Sequence, residues 1–181
     1  MAVEDWQLQA LRRSIGVVQQ DVMLFSGTLA DNISLGRPGI TRETVERAVA
    51  DAQLSAKVAQ LGGLDTLLSE NGGNLSAGER QLLSIARILA ANPPIVILDE
   101  ATASIDTETE QAVQRALERV FEGRTALVVA HRLSTIRKAD RIVVMQRGQI
   151  AESGTHEELL RQAGLYARLV ESAQESQRLL G

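Results

Sequence analysis

The 181 residues, 44% of them hydrophobic, can bury one sizeable core, and with aromatic residues only at Trp6, Phe25, Phe121 and Tyr166 that core must be built from Leu, Ile, Val and Ala. A net charge of -4, with Lys and Arg spread along the chain, excludes the basic stripe of a nucleic-acid binder, and the absence of cysteine excludes disulfides and thiolate metal sites. Met1–Asp5 has neither the basic start nor the apolar core of a signal peptide, and the apolar stretches around 82–91 and 126–130 fall short of the ~20 residues of a membrane span, so a soluble chain is expected.

Ser14–Val18 reads as a short strand, followed by Gln19-Gln20-Asp21 and an apolar patch at Met23-Leu24-Phe25. The spacing of Val45, Ala48, Val49 and Ala52 predicts an amphipathic helix over 41–54. Two Gly-Gly pairs, at 62–63 and 72–73, bracket an irregular stretch. Ser76-Ala77-Gly78-Glu79 fits a capping box and opens a helix to about Ala91, which Asn92-Pro93-Pro94 stops.

Ile95–Leu98 is a continuous apolar run of the kind expected of a strand buried on both faces, and Ala126–Ala130 is a second such strand. Between them Thr107-Glu108-Thr109-Glu110 reads as another capping box, opening a helix to about Val120. A hairpin is expected over 142–152 across Arg147-Gly148. Thr155 then caps one helix, and 165–180 forms a last amphipathic one. Buried strands alternating with helices predict an α/β layered fold with a parallel sheet. No internal repeat or low-complexity segment interrupts it.

Several of these positions can carry chemistry. Catalytic groups of open α/β sheets collect at the carboxyl ends of strands, where Asp99 could hold Mg²⁺ on a nucleotide and Glu100 could orient and deprotonate a water. The same pair fits an ordinary strand-to-helix turn with two solvated acids. The helix start at Ser76, with Gly78 allowing close backbone approach, could bind phosphate or be a plain cap. His131 at its strand end could donate to a γ-phosphate oxygen or be structural. Gln20 could reach Mg²⁺ or the attacking water, or be a loop amide. Taken singly these signals are weak; their order along one chain points to a nucleotide-hydrolysing site.

Together these residues resemble the ATP-binding cassette of ABC transporters, over about residues 6 to 175. Leu75–Glu79 is similar to the family signature, usually Leu-Ser-Gly-Gly-Gln, and Ile95–Asp99 to the Walker B strand. The resemblance implies that Glu100 is the catalytic glutamate, His131 the switch histidine, Gln20 the Q-loop glutamine, and Ala103–Asp106 the D-loop. Glu70-Asn71-Gly72, the segment from Gln20 to Ile33 and the run Ala130–Thr135 resemble exporters of the multidrug and lipid half-transporter type.

The family implies ATP and Mg²⁺ as cofactors. Its partners would be a second nucleotide-binding domain, in a homo- or heterodimer, and the transmembrane domain of an exporter. In such a dimer Ser76 and Gly78 serve the partner's nucleotide, while Asp99, Glu100, Gln20 and His131 serve the chain's own; Asp106 of the D-loop is counted with the nucleotide-binding residues. The resemblance implies one partial nucleotide-binding domain over 1–181. Its signature subdomain would span about 20–91, the Walker B to switch-histidine core about 92–154, and C-terminal helices 155–181. The location implied is the cytoplasmic face of the membrane in a full transporter.

Two departures stand out. Ala77 and Glu79 replace Gly and Gln of the usual signature. Ala77 is tolerable unless φ must be positive, and Glu79 can cap the helix if it points away from phosphate. No Gly-x-x-x-x-Gly-Lys-Ser/Thr cradle occurs anywhere in the sequence. The chain is therefore expected to be the C-terminal part of a cassette, without the phosphate loop and first strands, and to bind ATP poorly and not hydrolyse it alone. Two alternatives are a soluble ABC ATPase of DNA maintenance, for which the coiled coil is missing, and a non-catalytic fragment that docks on an intact cassette.

Overall fold

Ile15–Val18, Ile95–Asp99 and Thr125–Val129 form strands β1, β2 and β3 of one parallel sheet, ordered β1-β2-β3. The computed structural model describes residues 5–19, 22–69, 73–99, 106–130 and 133–180. The chain divides into two units, Met1–Val129 and Ala130–Gly181.

In the first unit, α1 (Leu8–Ser14) leads straight into β1. The crossover to β2 carries α2 (Leu29–Ser34), α3 (Arg42–Asp51), α4 (Ser55–Leu61) and α5 (Ala77–Ala91), and α6 (Thr107–Phe121) connects β2 to β3. Parallel neighbours need such crossovers, and helices supply them. The predicted helix over 41–54 is α3, capped by Thr41. It stops earlier than the periodicity suggests, although Ala52 and Leu54 remain buried beyond its end. Val96 and Leu98 of β2 pack in one core with Leu83, Ile85 and Ala86 of α5 and Val113, Ala116 and Val120 of α6. Approach is closest at Gly16: a Cβ there would meet Pro93 Cγ at 2.7 Å and Ile88 Cδ1 at 2.9 Å, so β1 passes the end of α5 only because residue 16 is glycine.

The expectation of strands buried on both faces is not met. Val96 and Leu98 are buried, but Ile95 is 37% exposed, and on β3 Leu127 is 61% and Val129 52% exposed. The register aligns Val17, Ile97 and Leu127 across the sheet, so the outward positions form one apolar face. In this unit the packed helices cover the other face. Continuous apolar runs such as these do not reveal, from sequence, which of their two faces a layer covers.

The helix after β2 also differs from its expected start. Asp106, not Thr107, is the N-cap of α6, its Oδ1 accepting the Thr109 N–H at 2.9 Å. That bond holds the Asp106 carboxyl below its ordinary range. Ser76, by contrast, caps α5 as predicted. At the other end of α5, Asn92 takes the left-handed conformation (φ 45°) that ends the helix, and its Oδ1 accepts from Arg124 Nη2 at 2.7 Å.

The second unit contains α7 (Leu133–Arg137), the antiparallel hairpin β4 (Ile142–Gln146) and β5 (Gln149–Gly154), α8 (His156–Arg161) and α9 (Leu165–Leu180). Arg147 and Gly148 both have positive φ (51° and 76°), as a tight two-residue hairpin turn requires. Ile142, Val144, Leu159, Tyr166 and Val170 form its core. Thr155 and Glu158 make the predicted capping box of α8. Glu152 on β5 accepts the backbone N–H groups of Tyr166, at 2.9 Å, and Leu165, and so caps α9 from outside the helix. Among the described residues no helix is long and apolar enough to cross a membrane.

Candidate functional site

The start of α5 follows from its own four residues. Ser76 Oγ accepts the Glu79 N–H at 3.2 Å, and Glu79 Oε2 accepts the Ser76 N–H at 2.7 Å. The reciprocal pair satisfies two first-turn donors and leaves the N–H groups of Ala77 and Gly78, which a helix start cannot bond internally. Ser76 and Ala77 are exposed and Gly78 is buried. Ala77 sits in the helix with no positive φ, so its methyl costs nothing here. Glu79 takes the capping orientation, and its second oxygen lies 3.1 Å from Lys57 Nζ of α4. Arg80 Nη1 donates to the Leu75 carbonyl at 2.8 Å, holding the residue before the cap.

Asp99 ends β2 with its side chain at the exposed carboxyl edge of the sheet, paired in register with Val129 at the end of β3. Val18, at the end of β1, pairs with Leu98. The three strands thus finish along one edge, the place where open α/β sheets gather their ligands. Asp106 stands at the cap of α6. Gln20, Glu100 and His131 lie outside the described residues, as do Glu70–Gly72 and Ala103–Ile105, so of the predicted site residues the structure places Ser76 and Gly78 at the start of α5, Asp99 at the end of β2 and Asp106 at the cap of α6.

One arrangement was not foreseen from the sequence. Arg87, the single charge in the apolar run of α5, donates from Nε to the Asn32 carbonyl (2.7 Å), from Nη1 to the Met23 carbonyl (2.8 Å) and from Nη2 to Asn32 Oδ1 (3.2 Å). Its guanidinium also lies 5.8 Å from the centre of the Phe25 ring. Buried Asn32 in turn donates to the carbonyls of Phe25 (2.8 Å) and Thr28 (3.1 Å) and accepts the Phe25 N–H (2.9 Å). Burial lowers the pKa of Arg87. The clasp ties the segment after Gln20 to the signature helix. Its sequence signal is faint: a charge interrupting an apolar helix run, with its partners far upstream.

A parallel sheet with crossover helices and a carboxylate at its carboxyl edge, in a chain whose α5 opens on a capping box, defines the α/β layered class. Comparison with known proteins makes this specific. The family model described as ABC transporter matches residues 1–103, and the chain belongs to that family. It is 53% identical over 170 residues to an uncharacterized ABC transporter ATP-binding protein, YwjA, of Bacillus subtilis, covering 93% of this chain and 30% of that protein. An ATP-dependent lipid A-core flippase of Pseudomonas fluorescens is 55% identical over 169 residues, covering 92% of this chain and 28% of that protein. Among solved structures, a bacterial Atm1-family ABC exporter with ATP bound superposes with a TM-score of 0.81 at 43% identity, over 91% of this chain and 29% of that one. The fold is accordingly that of an ABC exporter's nucleotide-binding domain. The chain spans less than a third of the length of these relatives.

Proposed function

We propose that this chain is the ATP-handling region of an ABC exporter and that it contributes two separate half-sites. The signature half-site is the start of α5, where Ser76 and the first-turn N–H groups of Ala77 and Gly78 meet the nucleotide held by a second cassette. The other is carried by Asp99 at the carboxyl end of β2, which would hold Mg²⁺. By family resemblance Glu100 would activate water, Gln20 would reach the metal or the water, and His131 would donate to the γ-phosphate. Asp106 lies at the dimer face. The single observation that carries the reading is the start of α5: a capping box at exposed Ser76 and Ala77, in a chain of this family, whose Ala77 and Gly78 N–H groups have no partner within the helix.

The chemistry of the residues suits the group. Mg²⁺ on a nucleotide takes one or two carboxylates and completes its shell with phosphate oxygens and water, and an exposed carboxylate such as Asp99 fits that mode. Exposed Met23, Phe25 and Leu35, beside the Arg87 clasp, offer an apolar surface suited to the exporter's membrane domain. Lipid A-core flippases among the relatives make an amphiphilic lipid the favoured class of cargo. The working location is the cytoplasmic face of a membrane.

The test mixes the 181-residue chain with an intact ABC cassette whose catalytic glutamate is replaced by Gln, and follows association by sedimentation. A complex is expected in MgATP and not in MgADP, and the chain alone is expected to show no ATP turnover. Absence of an ATP-dependent complex contradicts the signature half-site. Turnover by the isolated chain that disappears in Glu100→Gln contradicts the division into halves.

A further inference from the structure

The signature turn carries a negative charge that its proposed role does not need. A helix start presents roughly half a positive charge to an approaching anion, and Glu79 sets a full carboxylate within the first turn of α5. Both carboxylate oxygens are engaged. One accepts the Ser76 N–H at 2.7 Å, and the other lies 3.1 Å from Lys57 Nζ, contributed by α4. These side chains are only 20% and 21% exposed, whereas those of the surface pair Arg42–Glu46 are 58% and 57% exposed. Water and salt therefore screen the Lys57–Glu79 pair much less than a surface pair. Arg80, the other cation of the turn, donates to the Leu75 carbonyl at 2.8 Å.

We propose that Lys57 is a positioning residue of the signature face. Its ammonium neutralises Glu79 and holds that carboxylate against the Ser76 N–H, so that a triphosphate approaching Ala77 and Gly78 meets no net negative neighbour. The inference rests on the reading of Ser76–Gly78 as the contact for a second cassette's ATP. It adds a compensating partner, from a different helix, for the glutamate that stands where the usual signature has glutamine.

The experiment uses the full chain and the same hydrolysis-blocked intact cassette, and reads the MgATP concentration giving half-maximal complex. Lys57→Met is expected to raise it about three- to tenfold, the scale of one partly screened charge near a phosphate. Lys57→Arg and the double variant Lys57→Met/Glu79→Gln are expected to return it to within about twofold of the unaltered chain, because each removes the unpaired charge. A purely packing role for Lys57 would leave the double variant as weak as Lys57→Met. Equal values for all variants, or a double variant no better than the single one, overturn the proposal. If Lys57→Met unfolds, as thermal melting would show, Glu79→Gln decides: it leaves the Lys57 ammonium uncompensated and is expected to lower the half-maximal concentration, and an unchanged or higher value refutes the proposal. No complex with the unaltered chain removes the contact itself and this inference with it.

Discussion

Ser76 does its structural work through bonds to residues three positions away, and such local caps can be read from sequence. Its hydroxyl and the Glu79 carboxylate exchange bonds with each other's N–H groups, and the four-residue pattern Ser-Ala-Gly-Glu announces the pair. Ser76→Ala should lower unfolding free energy by about 0.5–2 kcal/mol and Ser76→Gly by only a few tenths, measured by urea denaturation. Equal losses for the two would show that the hydroxyl is not the cap. The cap of α6 shows the limit of pattern reading. Thr107-Glu108-Thr109-Glu110 satisfies the capping-box spacing, but Asp106, one residue earlier, is an equally good cap by type and takes the position. The role of Lys57 was not legible and that of Arg87 only faintly, because their partners lie on other elements and no local spacing encodes them.

At the scale of elements, helices α5, α8 and α9 were legible from periodicity and caps, while what fastens them across the chain was not. Glu152 is the clearest case. From strand β5 it accepts the N–H groups of Tyr166 and Leu165, and these bonds hold its carboxyl below the ordinary value of 4.5. A carboxylate whose folded pKa is depressed stabilises the fold fully above its unfolded pKa and loses that contribution as pH falls through the folded one. The melting midpoint should therefore fall on acidification below about pH 4.5, and Glu152→Gln should lower the midpoint at pH 7 while flattening its acid slope. A midpoint with the same acid slope in Glu152→Gln as in the unaltered chain would contradict this role. Arg87 is the comparable fastener between α5 and the segment 23–32, acting on carbonyls rather than N–H groups.

At the scale of the whole molecule, the parallel order of the strands followed from their alternation with helices, but the burial of the sheet did not. Ile95, Ile97, Leu127 and Val129 are as apolar as their inward neighbours, so composition could not show that the packed helices of their unit cover only one side. Leu98→Ala should cost about 2–5 kcal/mol, as for any buried leucine, and Leu127→Ala less than about 0.5 kcal/mol. Comparable costs would mean that Leu127 is buried in solution. The same apolar face should bind a hydrophobic dye in the folded chain, with Leu127→Lys reducing the signal.

The central claim is that the start of α5 serves a nucleotide held by another cassette. Because the chain contains no cysteine, Ala77→Cys places a unique thiol in the first turn of α5. Paired with an otherwise cysteine-free intact cassette carrying one cysteine in its phosphate loop, it can be tested with a short bifunctional thiol reagent. The claim predicts a cross-link in MgATP that is lost in MgADP and in nucleotide-free buffer. A cross-link independent of nucleotide, or none in MgATP, would contradict it.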